Sequence, residues 1–429
     1  MHTWLTQQQK NKQPKIISSP PCPRASLLEA LCLQEPFVVM LDVVVPVFRM
    51  NLELLQRVVS LSIPENTSTT FLLIVDNPDS PDVPQVQALE SSPQHWGQVL
   101  VRVLPTNSGA CAARNRGIHE SGADWILFLD DDVVVPSDLL HHYVDAVRQN
   151  SSKFPHLLGV VGSTRFPDPA PNLWCAACNM SYLTFFYRTA ERQSWCWWGV
   201  TANLCLRRTP HLQFRDCFPK TGGGEDIAVC LDQAMIHHRF QPTPQQPAPL
   251  ASAPKAWVQH LWWDNGRFSS SRFCSWTRGD SQLLNLFPQL TYRTMPNVVE
   301  YLAVLLIMFL PLWGWGLVSL LLSLQIMAQA LVLDLLQELI HYFVVDPHVE
   351  RHRTGFGMRR VWAICCAWLM KCHVHWGHLL HQLTALRWAN LCRRFDFHCG
   401  ALNAVDTEKR RAWIRFSLQV AAVAWTLSC

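Results

Sequence analysis

Residues 43–129 alternate between short apolar runs and an amphipathic stretch. Four of the runs have the length and the apolar composition of strands: Val43–Phe48, Phe71–Val75, Gln98–Leu104 and Trp125–Leu129. Between the first two, Leu52–Leu61 places apolar side chains at helical spacing. Strands that alternate with helices predict an α/β fold, with a mostly parallel sheet and helices on both of its faces.

A different pattern begins at Tyr301, because no charged residue occurs from there to Leu333. As one helix this stretch would be roughly 50 Å long at ~1.5 Å per residue, well beyond the ~30 Å hydrocarbon core of a bilayer. Pro311 and the segment Gly314–Gly316 offer a break. We therefore predict a pair of transmembrane or re-entrant helices within residues 297–345, with a buried pair of core helices as the alternative.

Residues 346–429 contain further apolar segments that basic residues interrupt. They are Val361–Met370, the Trp- and His-bearing stretch that continues to Leu391, and Ala412–Leu427. This pattern is typical of amphipathic helices at a membrane interface, with a final crossing by the last segment as an open alternative. Within the second segment, His375, His378 and His381 repeat at helical spacing, which fits a polar stripe or a metal site.

The distribution of charge suggests an orientation. Basic residues flank the apolar segments: Arg351, Arg353, Arg359, Arg360, Lys409, Arg410 and Arg411. The positive-inside rule assigns such residues to the cytosolic face. The segment Met1–Ser26 is polar, is rich in Gln, Lys and Pro and carries no apolar signal, and we predict a disordered segment over residues 1–36. We therefore expect an integral membrane protein whose α/β domain faces the cytosol.

Composition limits the classes of partner. Hydrophobic residues make up 49% of the 429 residues and charged residues only 16%, which is apolar for a soluble enzyme. The net charge of +4 is small and local, and the sequence contains no nucleic-acid-binding motif. The expected partners therefore include a membrane and exclude nucleic acid.

Three consecutive carboxylates, Asp130, Asp131 and Asp132, follow the strand that ends at Leu129. Ligands of open α/β sheets bind at the carboxyl ends of the strands, and carboxylates there suit a hard divalent cation, Mg²⁺ or Mn²⁺, with the phosphates it bridges. Side chains alternate along a strand, so Asp130 and Asp132 share one side and Asp131 faces the other. A solvated turn or a helix cap is the alternative.

Several segments resemble one enzyme family in the family's own order. They are Asp42–Pro46, Val75–Asp76, Asn107–Gly109 with Ala113–Gly117, Leu129–Asp132, Gly199–Arg208, Phe214, Gly222–Asp226 with Leu231, Val258–His260 and Arg278–Ser281. This series resembles the GT-A domain of glycosyltransferase family 2 and predicts such a domain over residues 37–290. Residues 242–254 depart from the family pattern, because a Pro- and Gln-rich insert replaces a short loop and strand, and we predict a lid or a disordered loop there.

The resemblance implies contacts to a nucleotide-sugar donor. Pro46 and Phe48 would line the base and ribose pocket, and Asp76 would accept from N–H groups of a uracil or a guanine, unless it is only a turn residue. Asp130 and Asp131 count among the expected donor contacts. Two arginines complete this set: Arg114 would reach a phosphate, orient Asp130 or form an ordinary salt bridge, and Arg278 would neutralise the leaving diphosphate or flank a membrane segment.

The resemblance also implies catalytic and metal-binding residues. Asp226 would be the general base that takes the proton of the acceptor hydroxyl, and Glu225 its orienting neighbour. Two acidic residues at that place also suit a helix N-terminus. The expected metal ligands are Asp130, Asp132 and His260, although His260 is equally consistent with a structural histidine.

Together these observations predict an inverting, metal-dependent transfer of a sugar from a UDP- or GDP-sugar to a lipid or glycan acceptor at a membrane. Two other classes remain open. A nucleotidyltransferase or another sugar-nucleotide enzyme with a GT-A-like fold would have no use for the Glu225–Asp226 pair. An inactive membrane scaffold would have no need to keep Asp130, Asp132 and Asp226.

Overall fold

The computed structural model describes residues 38–91, 97–181, 184–238, 248–345, 357–400 and 403–428. Its strands are β1 (Val39–Val47), β2 (Thr67–Ser68), β3 (Thr70–Val75), β4 (Gln98–Val103), β5 (Trp125–Leu129), β6 (Val133–Val134), β7 (Gly159–Arg165), β8 (Trp195–Cys196), β9 (Asn203–Arg207), β10 (Leu250–His260), β11 (Thr291–Arg293) and β12 (Arg393–Phe395). Its α-helices are α1 (Leu52–Val59), α2 (Val83–Gln87), α3 (Ala110–Glu120), α4 (Leu139–Ser151), α5 (Leu173–Met180), α6 (Glu225–His238), α7 (Ser270–Leu286), α8 (Val298–Gly314), α9 (Leu320–Ile340), α10 (Met358–Thr384) and α11 (Ala404–Ser428). The predicted disordered segment 1–36 lies outside the described residues.

The main sheet has the order β4-β3-β1-β5-β9-β7-β10-β6. Strands β4, β3, β1 and β5 are parallel, whereas β9 runs antiparallel to both β5 and β7. The predicted mostly parallel α/β fold is confirmed. Parallel pairing places the carboxyl ends of β1, β3 and β5 at one edge of the sheet, where open α/β sheets bind ligands.

Alternating side chains of the strands feed two apolar cores. In β1, Val43, Val45 and Val47 belong to one core, which helices α1 and α4 complete, while Val44 belongs to the other. That second core contains buried residues of α3, α6 and α7. Because both faces of the sheet are covered, its central strands are apolar on both sides, as the sequence of β3 and β5 indicates.

The predicted insert at residues 242–254 is wrong in its second half. Leu250–Ala253 pair in parallel with β7 as part of β10, and the register shifts between Ala253 and Trp257. Pro254 lies at this irregularity, where a residue without an N–H group does not break the ladder. The first part of the insert lies in 239–247, which the structure does not describe.

The chain after β11 forms helices that pack on the α/β domain and on each other. Helices α8 and α9 are joined at residues 315–319, so the chain turns at the predicted Gly314–Gly316 break, whereas Pro311 remains inside α8. Helix α10 packs along α5 and α7, with Ala367 and Met370 buried against Cys178 and Phe273. Helix α11 lies against α9. From Val39 onward the described chain is one compact unit.

Candidate active site

A cavity of about 820 Å³ opens at the carboxyl edge of the sheet. The ends of β1, β3 and β5 contribute Phe48, Asp76 and Asp130 to its wall. Helix α6 adds Glu225 and Asp226 from the opposite side, and helices α7 and α10 extend the wall further. Residues that are far apart in the sequence, from Pro46 to Glu408, therefore line one cavity, of the size that small-molecule sites have.

Asp131 fixes the loop that follows β1. Its Oδ2 accepts hydrogen bonds from the backbone N–H groups of Phe48 (2.8 Å) and Arg49 (2.6 Å), and its Oδ1 accepts one from Arg49 Nη1 (2.7 Å). The Phe48 ring remains 47% exposed on the cavity wall, beside Pro46. Asp131 therefore shapes this wall through the loop, and its carboxylate is committed to that task.

Asp130, Asp132 and His260 form a cluster in which the ligating atoms all lie within 4.8 Å of one another. Antiparallel pairing of β6 with β10 places His260 opposite Val133, and Leu261 N–H donates to the Asp132 carbonyl oxygen at 3.0 Å. Backbone pairing of two strands far apart in the sequence thus brings the imidazole to the carboxylates, with His260 Nε2 at 3.4 Å from Asp132 Oδ1.

The donor set of this cluster fits a divalent cation. His260 Nδ1 lies 2.6 Å from the Leu261 carbonyl oxygen, which only accepts, so Nδ1 carries the proton and Nε2 offers its lone pair. Among the described residues, Asp132 Oδ1 has no hydrogen-bond partner. Burial raises the pKa of Asp132, although the charge of Arg49 opposes this effect. A buried carboxylate oxygen that lacks a donor is an expected metal ligand.

Arg114 links the metal-site strand to helix α6. Its Nη2 donates to Asp130 Oδ1 (2.9 Å) and its Nη1 to Glu225 Oε1 (3.2 Å), and the guanidinium stacks over the Phe214 ring. Burial alone would lower the pKa of Arg114, but Asp130 and Glu225 outweigh that effect and raise it. Of the three roles left open for Arg114, its contacts are those of an orienting residue for Asp130 and Glu225.

Asp226 stands at the first turn of α6. The three glycines before the helix all have positive φ (83°, 122° and 89° for Gly222, Gly223 and Gly224), a conformation that other residues rarely adopt. Glu225 accepts from the Gly223 N–H group and from Arg114, while Asp226 Oδ1 accepts from the Ile227 N–H group. Withdrawal from solvent, followed by the neighbouring Glu225, raises the pKa of Asp226 to about 8 although its side chain still borders the cavity.

The sequence of the α/β domain matches a known family. Residues 42–192 match the model of glycosyl transferase family 2. This part of the chain is therefore similar to that family. The match covers β1 to β7 and therefore includes Asp76, Arg114 and the three consecutive carboxylates, whereas Asp226 and His260 lie beyond it.

Two curated relatives come from Haemophilus influenzae, and each is named an uncharacterized glycosyltransferase. One is 26% identical over 148 residues, which are 34% of this chain and 56% of the relative. The other is 32% identical over 111 residues, which are 26% of this chain and 35% of the relative. The matches therefore span about half or less of the length of these relatives.

Solved structures of low sequence identity also align with the chain. A mannosyltransferase, PcManGT from Pyrobaculum calidifontis, in complex with GDP-Man and Mn²⁺, has a TM-score of 0.46 at 12% identity and aligns over 82% of this chain and 92% of its own. TarS 1–349 from S. aureus in complex with UDP-GlcNAc has a TM-score of 0.38 at 13% identity, over 79% of this chain and 92% of its own.

Two predicted contacts to the donor, Asp76 and Arg278, differ in the structure from what the family resemblance implies. Asp76 accepts backbone N–H groups from Ser108 (2.7 Å) and Gly109 (2.8 Å), so it holds the turn before α3 while lining the cavity. Arg278 is exposed, on the side of α7 away from Trp276, which faces the cavity. Arg272, one turn before Trp276, lines the cavity instead and pairs with Asp264 at 3.0 Å.

Several residues of the cavity wall could not be identified from the sequence. Arg49 reaches both Asp131 and Asp132 (2.7 and 3.3 Å), and its only local signal is its place directly after the first strand. Tyr187 and Trp263 pack edge-on near His260, with ring centroids 6.3 and 5.9 Å from it. Asp280, one helical turn beyond Trp276, also lines the cavity. Tyr187 and Trp263 reach the site only through tertiary packing.

Proposed function

We propose that the protein is a membrane-associated, inverting glycosyltransferase that transfers a sugar from a UDP- or GDP-sugar to an acceptor hydroxyl. One observation carries this proposal: the Asp226 carboxylate at the start of α6, which has one oxygen in use, and an Asp-Asp-His cluster at the carboxyl end of β5 line the same cavity. The first suits proton removal from an acceptor, and the second suits the diphosphate of a donor.

Asp226 rather than Glu225 is the proposed general base. Each oxygen of Glu225 already accepts a hydrogen bond, one from Arg114 and one from the Gly223 N–H group. Asp226 keeps an oxygen for the acceptor O–H group. As the oxygen of the acceptor hydroxyl attacks the anomeric carbon, its proton passes to Asp226 and the bond to the diphosphate breaks on the opposite face, which inverts the configuration.

Asp130, Asp132 and His260 would hold a divalent cation. The imidazole nitrogen in this set favours Mn²⁺ over Mg²⁺, which prefers oxygen ligands and bound water. Such a cation would neutralise charge that develops on the leaving diphosphate. Arg114 orients Asp130 for this role, and Phe48 with Pro46 offers an apolar wall for the base and ribose. Each oxygen of Asp76 accepts one backbone N–H group and keeps a lone pair for a base N–H.

The metal assignment predicts a specific defect for Asp132→Asn. In the wild type, Mn²⁺ together with UDP- or GDP-sugars should raise the melting temperature, because a ligand that binds only the folded state stabilises it. In the variant we expect the increase in donor affinity that Mn²⁺ provides to fall at least tenfold. Replacing a residue that only hydrogen-bonds a metal ligand already causes a loss of about this size. Thermal-shift titrations with and without Mn²⁺ measure this increase.

Asp145→Asn is the matched control, since Asp145 is exposed on α4. It should bind the donor as the wild type does. Donor affinity that depends on Mn²⁺ to the same extent in Asp132→Asn and in the control would contradict the assignment of Asp132.

The uncharged residues of α8 and α9, Tyr301–Leu333, form what we call the apolar hairpin. Its exposed large apolar side chains are Val304, Leu306, Ile307, Met308, Leu310, Trp315, Leu317, Leu320, Leu321, Leu324 and Val332. An exposed apolar surface of this extent is typical of a membrane contact. Helix α11 runs antiparallel along α9 and adds exposed Trp425 and Leu427 beside the middle of α9, where Thr426 bonds Gln329. We propose that this surface lies in lipid.

The length of the hairpin favours a re-entrant insertion over two crossings. From Tyr301 to Gly314 helix α8 rises about 20 Å at ~1.5 Å per residue, which is less than the ~30 Å hydrocarbon core. Among the described helices, one span, Leu320–Phe343, is long and apolar enough to cross a bilayer. It includes Asp334 and Glu338, which pair with Arg415 and Lys371 at the base of the hairpin. Because these charged side chains are unsuited to the hydrocarbon core, we expect only the apolar hairpin to be inserted into the bilayer.

We infer the orientation of the α/β domain from the charged residues around the base of the apolar hairpin. Basic residues Arg293, Arg393, Lys409 and Arg410 lie on the elements next to it. Helix α10 turns an apolar stripe outward with exposed Met358, Trp362, Leu369, Trp376 and Leu380, and we propose that it lies at the interface. By the positive-inside rule this side faces the cytosol, where nucleotide sugars are available to the cavity.

Charges at the tip of the hairpin should abolish membrane binding. Leu317 and Leu321 are 67% and 77% exposed, so glutamates at both positions disturb no packing. A charged side chain near the bilayer centre costs about 2.5–3.5 kcal/mol, and we expect the double variant Leu317→Glu, Leu321→Glu to bind liposomes at least tenfold more weakly in a flotation assay. Ile236→Glu, at a half-exposed apolar position of α6, is the control. Equal flotation of all three proteins would exclude the hairpin as the membrane contact.

A further inference from the structure

Asp280 lies on the face of α7 that borders the cavity. Trp276, Asp280 and Leu284 are four residues apart, so they share one side of the helix, and all three line the cavity. Between the first two, Gly279 packs so closely on Gly223 that a Cβ atom would lie 1.8 Å from the Gly223 carbonyl oxygen. This contact holds Asp280 next to the glycine segment that leads to Asp226.

The Asp280 carboxylate lacks a partner among the residues that the structure describes: no hydrogen bond or ion pair reaches it. Other carboxylates on the cavity wall differ in this respect, since Asp130 pairs with Arg114, Asp131 with Arg49 and Glu338 with Lys371. Burial raises the pKa of Asp280 to about 7. An unpaired, partly buried carboxylate is costly for the fold and calls for a ligand that donates to it.

The neighbours of Asp280 are aromatic rings and neutral donors. The rings of Trp276 and Trp263 meet edge to face with centroids 5.1 Å apart, and both line the cavity. Helix α10 crosses the same wall, with Gly377 against Thr277 and with His375 and His378 on the cavity side. Burial, followed by Lys371, lowers the pKa of His375, so its ring is neutral at physiological pH.

We propose that Asp280, with Trp276 and His378, forms the acceptor subsite, and that the acceptor part bound there is a saccharide whose hydroxyl groups donate to the Asp280 carboxylate. This inference rests on the proposed function and names its acceptor class. Carboxylates accept hydroxyl hydrogen bonds strongly, and an indole ring packs on the apolar face of a sugar. A phosphate group is unsuited to this place, because the unpaired carboxylate would repel it.

The test measures binding of a panel of p-nitrophenyl glycosides to the full chain by saturation-transfer NMR, with UDP or GDP and Mn²⁺ present. We expect wild-type protein to bind at least one glycoside and Asp280→Asn to bind it about tenfold more weakly or worse, the usual loss for a hydrogen bond to a charged group. Asp145→Asn should bind as the wild type does. Asparagine has nearly the volume of aspartate and no charge to bury, so the variant should fold, and its melting temperature verifies this.

Two results would overturn the proposal. One is unchanged glycoside affinity in Asp280→Asn. The other is a wild-type protein that binds farnesyl phosphate, a soluble lipid phosphate, but none of the glycosides, with Asp280→Asn binding the phosphate more tightly. Slow release of nucleotide diphosphate from the donor in water tests the proposed function separately, because this reaction needs no acceptor. Its loss in Asp280→Asn would place Asp280 in the donor site and also contradict the proposal.

Discussion

Replacement of Asp226 by asparagine should lower turnover by roughly 10²-fold or more while donor affinity stays near the wild-type value. General-base catalysis supplies a factor of this order, and asparagine keeps the shape of the side chain without its basicity. The wild-type carboxylate, whose pKa burial raises to about 8, binds its proton more tightly in the folded than in the unfolded state. Its contribution to stability therefore falls as pH rises from about 4 to 8. The melting temperature of Asp226→Asn at pH 8 should accordingly be no lower than that of the wild type.

The pH dependence of turnover provides a second test of the role of Asp226. The base acts when it is deprotonated, so wild-type turnover should rise with pH and then level off. Because a bound cation favours the carboxylate, the midpoint should lie between the ordinary aspartate pKa and about 8. Asp232→Asn, which removes a carboxylate on the outer side of α6 that pairs with Arg215, should keep this profile. Turnover of Asp226→Asn within a few-fold of the wild type would assign the proton to another group.

Arg114→Met should reduce the free energy of unfolding by about 3–5 kcal/mol. The arginine is 3% exposed and pairs with Asp130 and Glu225, and removal of one partner from a buried ionic network leaves charge without compensation. Chemical denaturation of the purified protein in detergent measures the loss. Divalent cations should be omitted, because a cation at Asp130 would replace part of the missing charge.

Arg57→Met is the matched control for this prediction. Arg57 and Glu53 form an exposed pair one helical turn apart on α1, and such pairs contribute less than about 1 kcal/mol. Similar losses in the free energy of unfolding for Arg114→Met and Arg57→Met would show that the Arg114 network stabilises the fold no more than an exposed ion pair does.

Local patterns were sufficient to predict the parallel strands β1, β3, β4 and β5 and the carboxylates at their carboxyl edge. The strand runs that end near Phe48, Asp76 and Asp130 have the correct type and nearly the correct bounds, since each is apolar, short and followed by a turn residue. Parallel order then implies that their ends meet. The same holds for the start of α6, where three glycines precede two acidic residues.

Long-range pairing could not be predicted in this way. His260 meets Asp132 because a two-residue strand, β6, pairs with the end of β10, and a pattern of two residues carries no strand signal. Strand β10 itself begins inside a Pro- and Gln-rich stretch, where tertiary pairing with β7 overrides the local preference for a loop. The ties of Asp131 to Phe48 and Arg49 likewise join segments that are more than 80 residues apart.

Helix phase explains the remaining differences. Arg278 was chosen for its charge and its position within a family block, but the residues of α7 that line the cavity are Arg272, Trp276, Asp280 and Leu284. A helical wheel of this segment would have separated the two faces, yet it would not have told which of them meets the sheet. The packing of Gly279 on Gly223 decides that point.

The products released from the donor distinguish a glycosyltransferase from a nucleotidyltransferase. Wild-type protein incubated with a panel of UDP- and GDP-sugars and Mn²⁺ should release the nucleoside diphosphate from at least one donor, in an amount equal to the sugar transferred or hydrolysed. Release should require intact Asp132. Formation of pyrophosphate from a nucleoside triphosphate and a sugar phosphate, without release of nucleoside diphosphate from any sugar nucleotide, would identify a nucleotidyltransferase and contradict the account.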